Sequence, residues 1–249
     1  MALQFTKIIS RRPAHLAKHY ALTNGALMKT TSAQLWQGTL EVMEVNDLTE
    51  FGQVISGLKT SEALVFGVPV NRRATRIVTG RALGAAKHGD DVIARTNDHF
   101  EWPSGAGIMM LDHDPDEDQE PLDRDALVAA LRNAVPGLRQ TDMLWVPSSS
   151  SHICEVATGR DLTGLRGQRL YLAVECAQDI PRAGRAIFDR LWEKGHGYMK
   201  LTRDGRLLPR TLVDSCVWQP IRLDFAAGAS VGPGLVQRRG HPVLIEKET

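Results

Sequence analysis

The sequence predicts a mixed α/β chain of the α+β class, and two observations carry that prediction. Segments with the two-residue alternation of a half-buried strand are interspersed along the chain with segments whose apolar residues recur at helical spacing. The 249 residues are 43% hydrophobic and 24% charged, which is enough apolar sequence to bury a core. We therefore expect strands and helices that pack against each other.

The first hundred residues predict both kinds of element. Residues 13–20 predict a short helix, and the alternation within residues 27–45 predicts strands. Asp47 followed by Glu50 is an N-terminal capping pattern, and the apolar stripe after it predicts a helix. Residues 63–68 then predict a buried strand.

The rest of the chain continues the alternation. Residues 97–107 predict a loop that leads into an apolar strand ending at Asp112, which we expect to be central in its sheet. Pro136 and Gly137 end a helix that is predicted over residues 123–135. The other expected elements are strands over 143–146, 153–157 and 169–175, a helix between Pro181 and Gly195, and a hairpin over 198–208.

Composition favours a reducing compartment. The three cysteines, Cys154, Cys176 and Cys216, are widely spaced and odd in number, which argues against a disulfide framework. The sequence contains no Cys-x-x-Cys pair, so we expect no zinc. It also has no apolar stretch of membrane-spanning length and no signal-peptide layout, so we expect a cytoplasmic protein without a membrane partner.

The net charge of +1 conceals a local asymmetry. Residues 112–125 carry eight acids against one base, whereas residues 160–210 carry eleven Arg and Lys against six acids. A concentrated acidic site beside a basic region suits a protein that binds both metal and polyanion. For the acids from Asp116 to Asp125 we favour the simpler interpretation of a solvated loop and helix start.

Asp112 and Asp114 form the most informative pair in the chain. On a strand they share one face, and His113 takes the other. Two neighbouring carboxylates repel each other, and a divalent cation between them removes that repulsion. Oxygen ligands suit Mg²⁺ or Mn²⁺. A simple turn after a strand would also use Asp, but the apolar run that leads directly into the pair favours a metal site.

Residues 147–152 combine a run of serines with a histidine. Ser150 and His152 offer a hydroxyl and an imidazole to phosphate oxygens. A serine-rich loop with an incidental histidine is the plain alternative. Nucleophilic Ser-His catalysis is disfavoured because the Gly-x-Ser-x-Gly elbow is missing from the sequence.

Asp214 follows two apolar residues and is followed by more, so we expect it to be buried and to need a partner. A metal shared with Asp112 and Asp114 would be one such partner. A salt bridge to Arg210 or Arg222 is an equally good interpretation of the same pattern.

The order of these motifs resembles the archaeo-eukaryotic primase superfamily, including its primase-polymerases. In that family an apolar strand ends in Asp-x-Asp, a Ser-x-His motif follows, and an apolar-Asp motif comes last. The surrounding sequence resembles the plasmid- and phage-type branch, and the resemblance covers about residues 95–228. The matching positions are Asp112, Asp114, Ser150, His152 and Asp214, with Arg95, Phe100, Pro103, residues 195–197 and residues 210–225 as context.

The resemblance implies a fold and an activity. The fold would be a small N-terminal α/β module over residues 1–94 packed on a catalytic module resembling an RNA-recognition sheet over residues 95–228. Residues 229–249 would be a tail or the start of a linker. The activity would be template-directed, two-metal nucleotidyl transfer from nucleoside triphosphates on single-stranded DNA, in plasmid, phage or mobile-element replication.

The resemblance also implies roles for individual residues. Asp112, Asp114 and Asp214 would bind two Mg²⁺ or Mn²⁺ ions, and His152, assisted by Ser150, would contact the phosphates of the incoming nucleotide. A basic residue near the triphosphate is also expected, with Lys200 first and Arg210 second. Basic side chains within residues 160–210 would follow the DNA template.

Family members often carry a helical C-terminal domain for priming, or continue into a helicase, so a fused or separate partner of that kind is expected. Two other functions use the same residues. A metal-dependent nuclease or phosphoesterase would activate water with the same carboxylates. A non-catalytic single-stranded-DNA-binding replication protein would retain the fold without the reaction.

Overall fold

The computed structural model describes residues 2–32, 34–85, 87–116, 119–202 and 204–248, which form a mixed α+β fold with several small sheets and few helices. Among these residues, no helix is long and apolar enough to cross a membrane.

The helices are α1 (Leu48–Gly57), α2 (Gly80–Ala85), α3 (Arg124–Ala134) and α4 (Ile180–Glu193). The strands are β1 (Leu3–Arg12), β2 (Lys18–Thr23), β3 (Ala26–Thr31), β4 (Gln37–Val45), β5 (Glu62–Val65), β6 (Val68–Pro69), β7 (Arg76–Val78), β8 (Val92–Ala94), β9 (Phe100–Glu101), β10 (Gly107–His113), β11 (Met143–Pro147), β12 (Ile153–Glu155), β13 (Gln168–Val174), β14 (Tyr198–Leu201), β15 (Leu207–Arg210), β16 (Ser230–Val231), β17 (Leu235–Gln237) and β18 (Val243–Ile245).

The first sheet has the strand order β5-β1-β4-β7-β8. Strand β1 lies antiparallel to both β4 and β5, and β7 and β8 are parallel. Because side chains alternate along a strand, β1 supplies both faces of its sheet. Phe5 packs into one hydrophobic core and Ile8 into another, and both are fully buried.

Helix α1 confirms the predicted capping pattern. The Glu50 N–H donates to Asp47 Oδ1 at 2.9 Å, and the Glu50 carboxylate accepts from the Asn46 N–H at 2.8 Å. The apolar side of the helix packs on β13, where Phe51 meets Tyr171 edge to face with ring centroids 5.1 Å apart. This packing joins α1 to the sheet that carries the acids.

The second sheet has the order β10-β13-β11-β18, and every pair in it is antiparallel. The prediction that the acid-bearing strand is central is wrong, because β10 lies at the edge of this sheet. The segment before Asp214 covers that edge: the Asp214 N–H donates to the Asp112 carbonyl at 2.8 Å. The edge position leaves one side of β10 open to a segment that is remote in sequence.

Most of the other predicted elements are confirmed. Helix α3 begins after Asp123, whose carboxylate accepts from the Ala126 N–H at 2.7 Å. Helix α4, strands β11 to β13 and the β14–β15 hairpin lie where the sequence predicts them.

The short helix predicted over residues 13–20 is wrong. Leu16 is buried in a loop whose backbone N–H donates to the Thr60 carbonyl at 2.7 Å, and β2 begins at Lys18. The cause lies in the next turn: Asn24 and Gly25 both have positive φ, 52° and 78°, as a two-residue hairpin turn requires. Pairing of β2 with β3 across that turn replaces the helix.

Residues 229–249, predicted as a tail or linker, instead contribute three strands. Strand β16 pairs in parallel with β2, β17 pairs with β12, and β18 completes the second sheet. Each strand has only two or three residues, too few for periodicity to show. The proposed boundaries at residues 94 and 228 stay a prediction.

Candidate functional site

The acid pair lies at the end of β10, where the alternation of the strand separates it from His113. The His113 ring is buried and its Nδ1 lies 2.7 Å from the Leu212 carbonyl oxygen. The Asp112 side chain is 22% exposed. Burial raises the pKa of the Asp112 carboxyl to about 6, the Arg169 charge opposes that rise, and the Asp114 charge adds to it.

Asp214 is brought beside Asp112 by the backbone hydrogen bond that covers the edge of β10. Its Oδ1 accepts from the Cys216 N–H and from Arg210 Nη1, both at 3.0 Å. Of the two partners that the sequence left open, the structure shows the salt bridge to Arg210. The same acid also caps the short 3₁₀ turn that follows it, which fixes its orientation.

A buried ionic network lies behind Asp112. Arg169 Nε is 3.0 Å from Asp224 Oδ1 and 3.6 Å from Asp112 Oδ1, and the Tyr171 hydroxyl donates to Asp224 Oδ2 at 2.7 Å. Sequence reasoning assigned none of Arg169, Tyr171 and Asp224 to the site. The pattern that indicated Asp214, an acid between apolar residues, is also present at Asp224 and could have identified it.

A small cavity of about 150 Å³ brings the predicted basic residues to the acids. Lys200 and Arg210 line it together with Asp114, Asp116 and Asp214. Lys200 forms an ion pair with Asp116, which also accepts from the Tyr198 hydroxyl at 3.3 Å. Asp116 lies outside the helices and strands, as a loop residue would, but its side chain is only 25% exposed and lines the site.

A larger cavity of about 510 Å³ lies on the other side of Asp114 and is lined by Ser150 and by Lys18, Lys29 and Arg166. Lys18 Nζ donates to Ser150 Oγ at 3.2 Å. Asp114 and Asp116 line both cavities, so the acids stand at the junction between the two.

Gly167 makes that junction possible. A Cβ atom at this position would lie 2.9 Å from both Asp114 Oδ1 and Ser148 Oγ, closer than real contacts allow. Ser148 Oγ is in turn 2.7 Å from Ser150 Oγ. The missing side chain therefore lets the acid and the serine loop approach each other.

His152 lies apart from the acids. Its Nδ1 is 2.7 Å from Asp161 Oδ2, and its φ of 57° is one that residues other than glycine rarely adopt. Within the described part of the chain, the residues that line the two cavities include Ser150 but not His152. Asp161, which the sequence did not indicate, holds the Nδ1 side of the imidazole.

The donor chemistry of Asp112, Asp114 and Asp214 fits a hard divalent cation, because all three offer oxygen. The described residues contain no group of three or more His, Cys, Asp and Glu side chains that converge on one point for a metal. Asp112 faces Arg169, and Asp214 is held by Arg210. Two of the three carboxylates thus face cations of the protein itself, whereas Asp114 is in no ion pair with another described residue.

No protein-family profile, no curated protein and no solved structure matches this chain. The assignment of function therefore depends on the motifs and on the geometry just described.

Proposed function

We propose that this chain is the catalytic domain of a DNA primase or primase-polymerase, which transfers nucleotides from nucleoside triphosphates to a growing strand on single-stranded DNA. One observation carries the proposal: Asp114 and Asp116 stand at the junction of two cavities, each of which also presents basic side chains. Nucleotidyl transfer needs that arrangement, because two phosphate-bearing substrates must meet at one acidic centre.

The acids of the site are suited to metal and its basic residues to phosphate. Asp112, Asp114 and Asp214 would hold Mg²⁺ or Mn²⁺, which would neutralise negative charge on the transferred phosphoryl group. Lys200 and Arg210 place two cations in the small cavity, where phosphate oxygens accept from them. Lys200 pairs with Asp116 and Arg210 with Asp214, so both cations are held at the cavity by acids of the site.

The second motif would supply a hydroxyl and an imidazole to phosphate. Ser150 faces the larger cavity and offers its hydroxyl there. His152 would reach phosphate with Nε2, while Asp161 holds its other ring nitrogen. The proposed partners are a single-stranded DNA template and a helicase or helical priming domain, fused or separate.

The test is an assay with purified protein on primed and unprimed single-stranded DNA, with Mg²⁺ or Mn²⁺, supplying ribonucleoside and deoxyribonucleoside triphosphates separately. We expect labelled oligonucleotides and release of pyrophosphate. Asp214→Ala abolishes both, whereas Asp189→Ala, at an exposed position on α4, leaves both unchanged.

Other outcomes have clear meanings. Degradation of the DNA without release of pyrophosphate would make the chain a nuclease. DNA binding that persists in an Asp112→Ala, Asp114→Ala double variant, with no product from the wild type, would make it a binding protein. Normal synthesis by Asp214→Ala would remove that residue from the metal site.

A further inference from the structure

The β2–β3 hairpin of the N-terminal region forms one wall of the larger cavity. Lys18, at the start of β2, crosses to Ser150, a contact between residues 132 positions apart. Ser150 is 8% exposed, so the lysine meets a hydroxyl that is already buried. None of the three motifs that define the acidic centre contains this lysine.

The larger cavity presents three basic side chains. Lys18, Lys29 and Arg166 line it together with Asp114 and Asp116, and Asp116 is paired with Lys200. Burial lowers the pKa of the Lys18 ammonium, which shows that this charge is partly removed from water. The Asp114 charge opposes that fall in the pKa of Lys18, and repulsion from Arg169 and Lys29 adds to it. An anion in the cavity would offset both the burial of the Lys18 charge and the repulsion between Lys18 and the neighbouring cations.

We propose that Lys18 is a phosphate-binding residue, which the N-terminal hairpin contributes to a nucleotide site in the larger cavity beside Ser150 and Arg166. The inference rests on the proposed function and names residues that this function does not by itself identify. A phosphate oxygen at Ser150 accepts from the serine hydroxyl and from the Lys18 ammonium together, since the two donors are already 3.2 Å apart.

Size decides between the two cavities. Pockets that enclose small ligands measure roughly 300–1,000 Å³. The larger cavity, at about 510 Å³, falls within that range, and the smaller one, at about 150 Å³, does not. The nucleotide therefore occupies the larger cavity, and the smaller one has room for a phosphate group alone.

The C-terminal segment holds both sides of this site. Strand β16 pairs with β2 directly after Lys18, with Ser230 opposite His19. Gln237 Nε2 donates to the carbonyls of Ser149 and Ser151, which flank Ser150. One segment thus fixes the lysine-bearing strand and the serine loop relative to each other before any ligand binds.

The experiment measures equilibrium binding of deoxyadenosine triphosphate and of deoxyadenosine by calorimetry, with and without Mg²⁺. Lys18→Met removes the charge and keeps an unbranched side chain. We expect about a 10- to 100-fold loss of affinity for the triphosphate, the range of a hydrogen bond to a charged group, and no change for the nucleoside. Lys18→Arg retains affinity to within about threefold because the charge is kept.

Lys7→Met is the matched control, because Lys7 is also half-buried on an N-terminal strand but pairs with Glu41. It leaves binding unchanged. Equal affinity of wild type and Lys18→Met for the triphosphate, or an equal loss for the nucleoside, overturns the proposal, as does a wild type that binds no triphosphate. Binding that depends on Lys18 in a protein that makes no polymer supports this inference while refuting the proposed function.

Discussion

The two cavities that meet at Asp114 differ in charge. The smaller is lined by three acids, Asp114, Asp116 and Asp214, against Lys200 and Arg210, whereas the larger is lined by three basic residues against two acids. Every charged side chain of the smaller cavity except Asp114 is in an ion pair with another described residue. The charges that line the smaller cavity are therefore largely matched within it, whereas more basic than acidic side chains line the larger one.

The two cavities are also supported differently. Behind the acids lies the buried network of Arg169, Asp224 and Tyr171, which orients Asp112 by charge. The larger cavity depends on backbone pairing of the C-terminal segment with β2 and on Gln237. One side is thus held by electrostatics in a low-dielectric interior, and the other by hydrogen bonds between short strands.

The largest effect is expected at Asp114, the acid common to both cavities that has no basic partner among the ion pairs of the described residues. Asp114→Asn keeps the shape and removes the charge. We expect nucleotidyl transfer to fall more than about 10⁴-fold, because the metals would lose a shared anionic ligand. Primer extension under single-turnover conditions measures this loss.

Asp125→Asn is the control for that variant, since Asp125 is an exposed acid of the same acidic stretch and pairs with Arg124. It retains full activity. If Asp114→Asn kept more than about a tenth of the wild-type rate, a loss of only ~1.4 kcal/mol in transition-state stabilisation, the two cavities would not share a catalytic acid.

The next effect concerns the stability of the network behind the acids. Asp224→Ala leaves the Arg169 charge buried without its closest partner, so we expect the free energy of unfolding to fall by about 3–5 kcal/mol. Tyr171→Phe removes only one hydrogen bond to the same carboxylate and costs about 1 kcal/mol. Urea denaturation measures both values, and equal losses would show that the ion pair contributes nothing beyond the hydrogen bond.

The sequence predicted the acid centre better than its surroundings, for a physical reason. The local alternation of one strand indicates that Asp112 and Asp114 share a face, and the apolar neighbours of Asp214 indicate that it is partly buried. Lys18 reaches the site on β2, whose first residues fall within the helix predicted over residues 13–20, although Asn24-Gly25 is a strong turn signal. Gln237 lies in a three-residue strand whose partner is more than eighty positions away in the chain, and no local pattern encodes that pairing.

The smallest expected effect is a pH dependence of metal affinity. Because the folded-state pKa of Asp112 is raised from 3.8 to about 6, its ionisation costs stability as the pH rises through that window, and bound metal offsets the cost. Below pH 6 a proton competes with the metal, so Mn²⁺ affinity should fall by up to about tenfold per pH unit, while it stays flat above pH 7.

Electron paramagnetic resonance of free Mn²⁺ measures this pH dependence, with Asp189→Asn as a control that keeps the same profile. A Mn²⁺ affinity that is constant between pH 7.5 and 5.5 would mean that Asp112 does not bind the metal, and the acids that line the smaller cavity would then be the remaining candidate ligands.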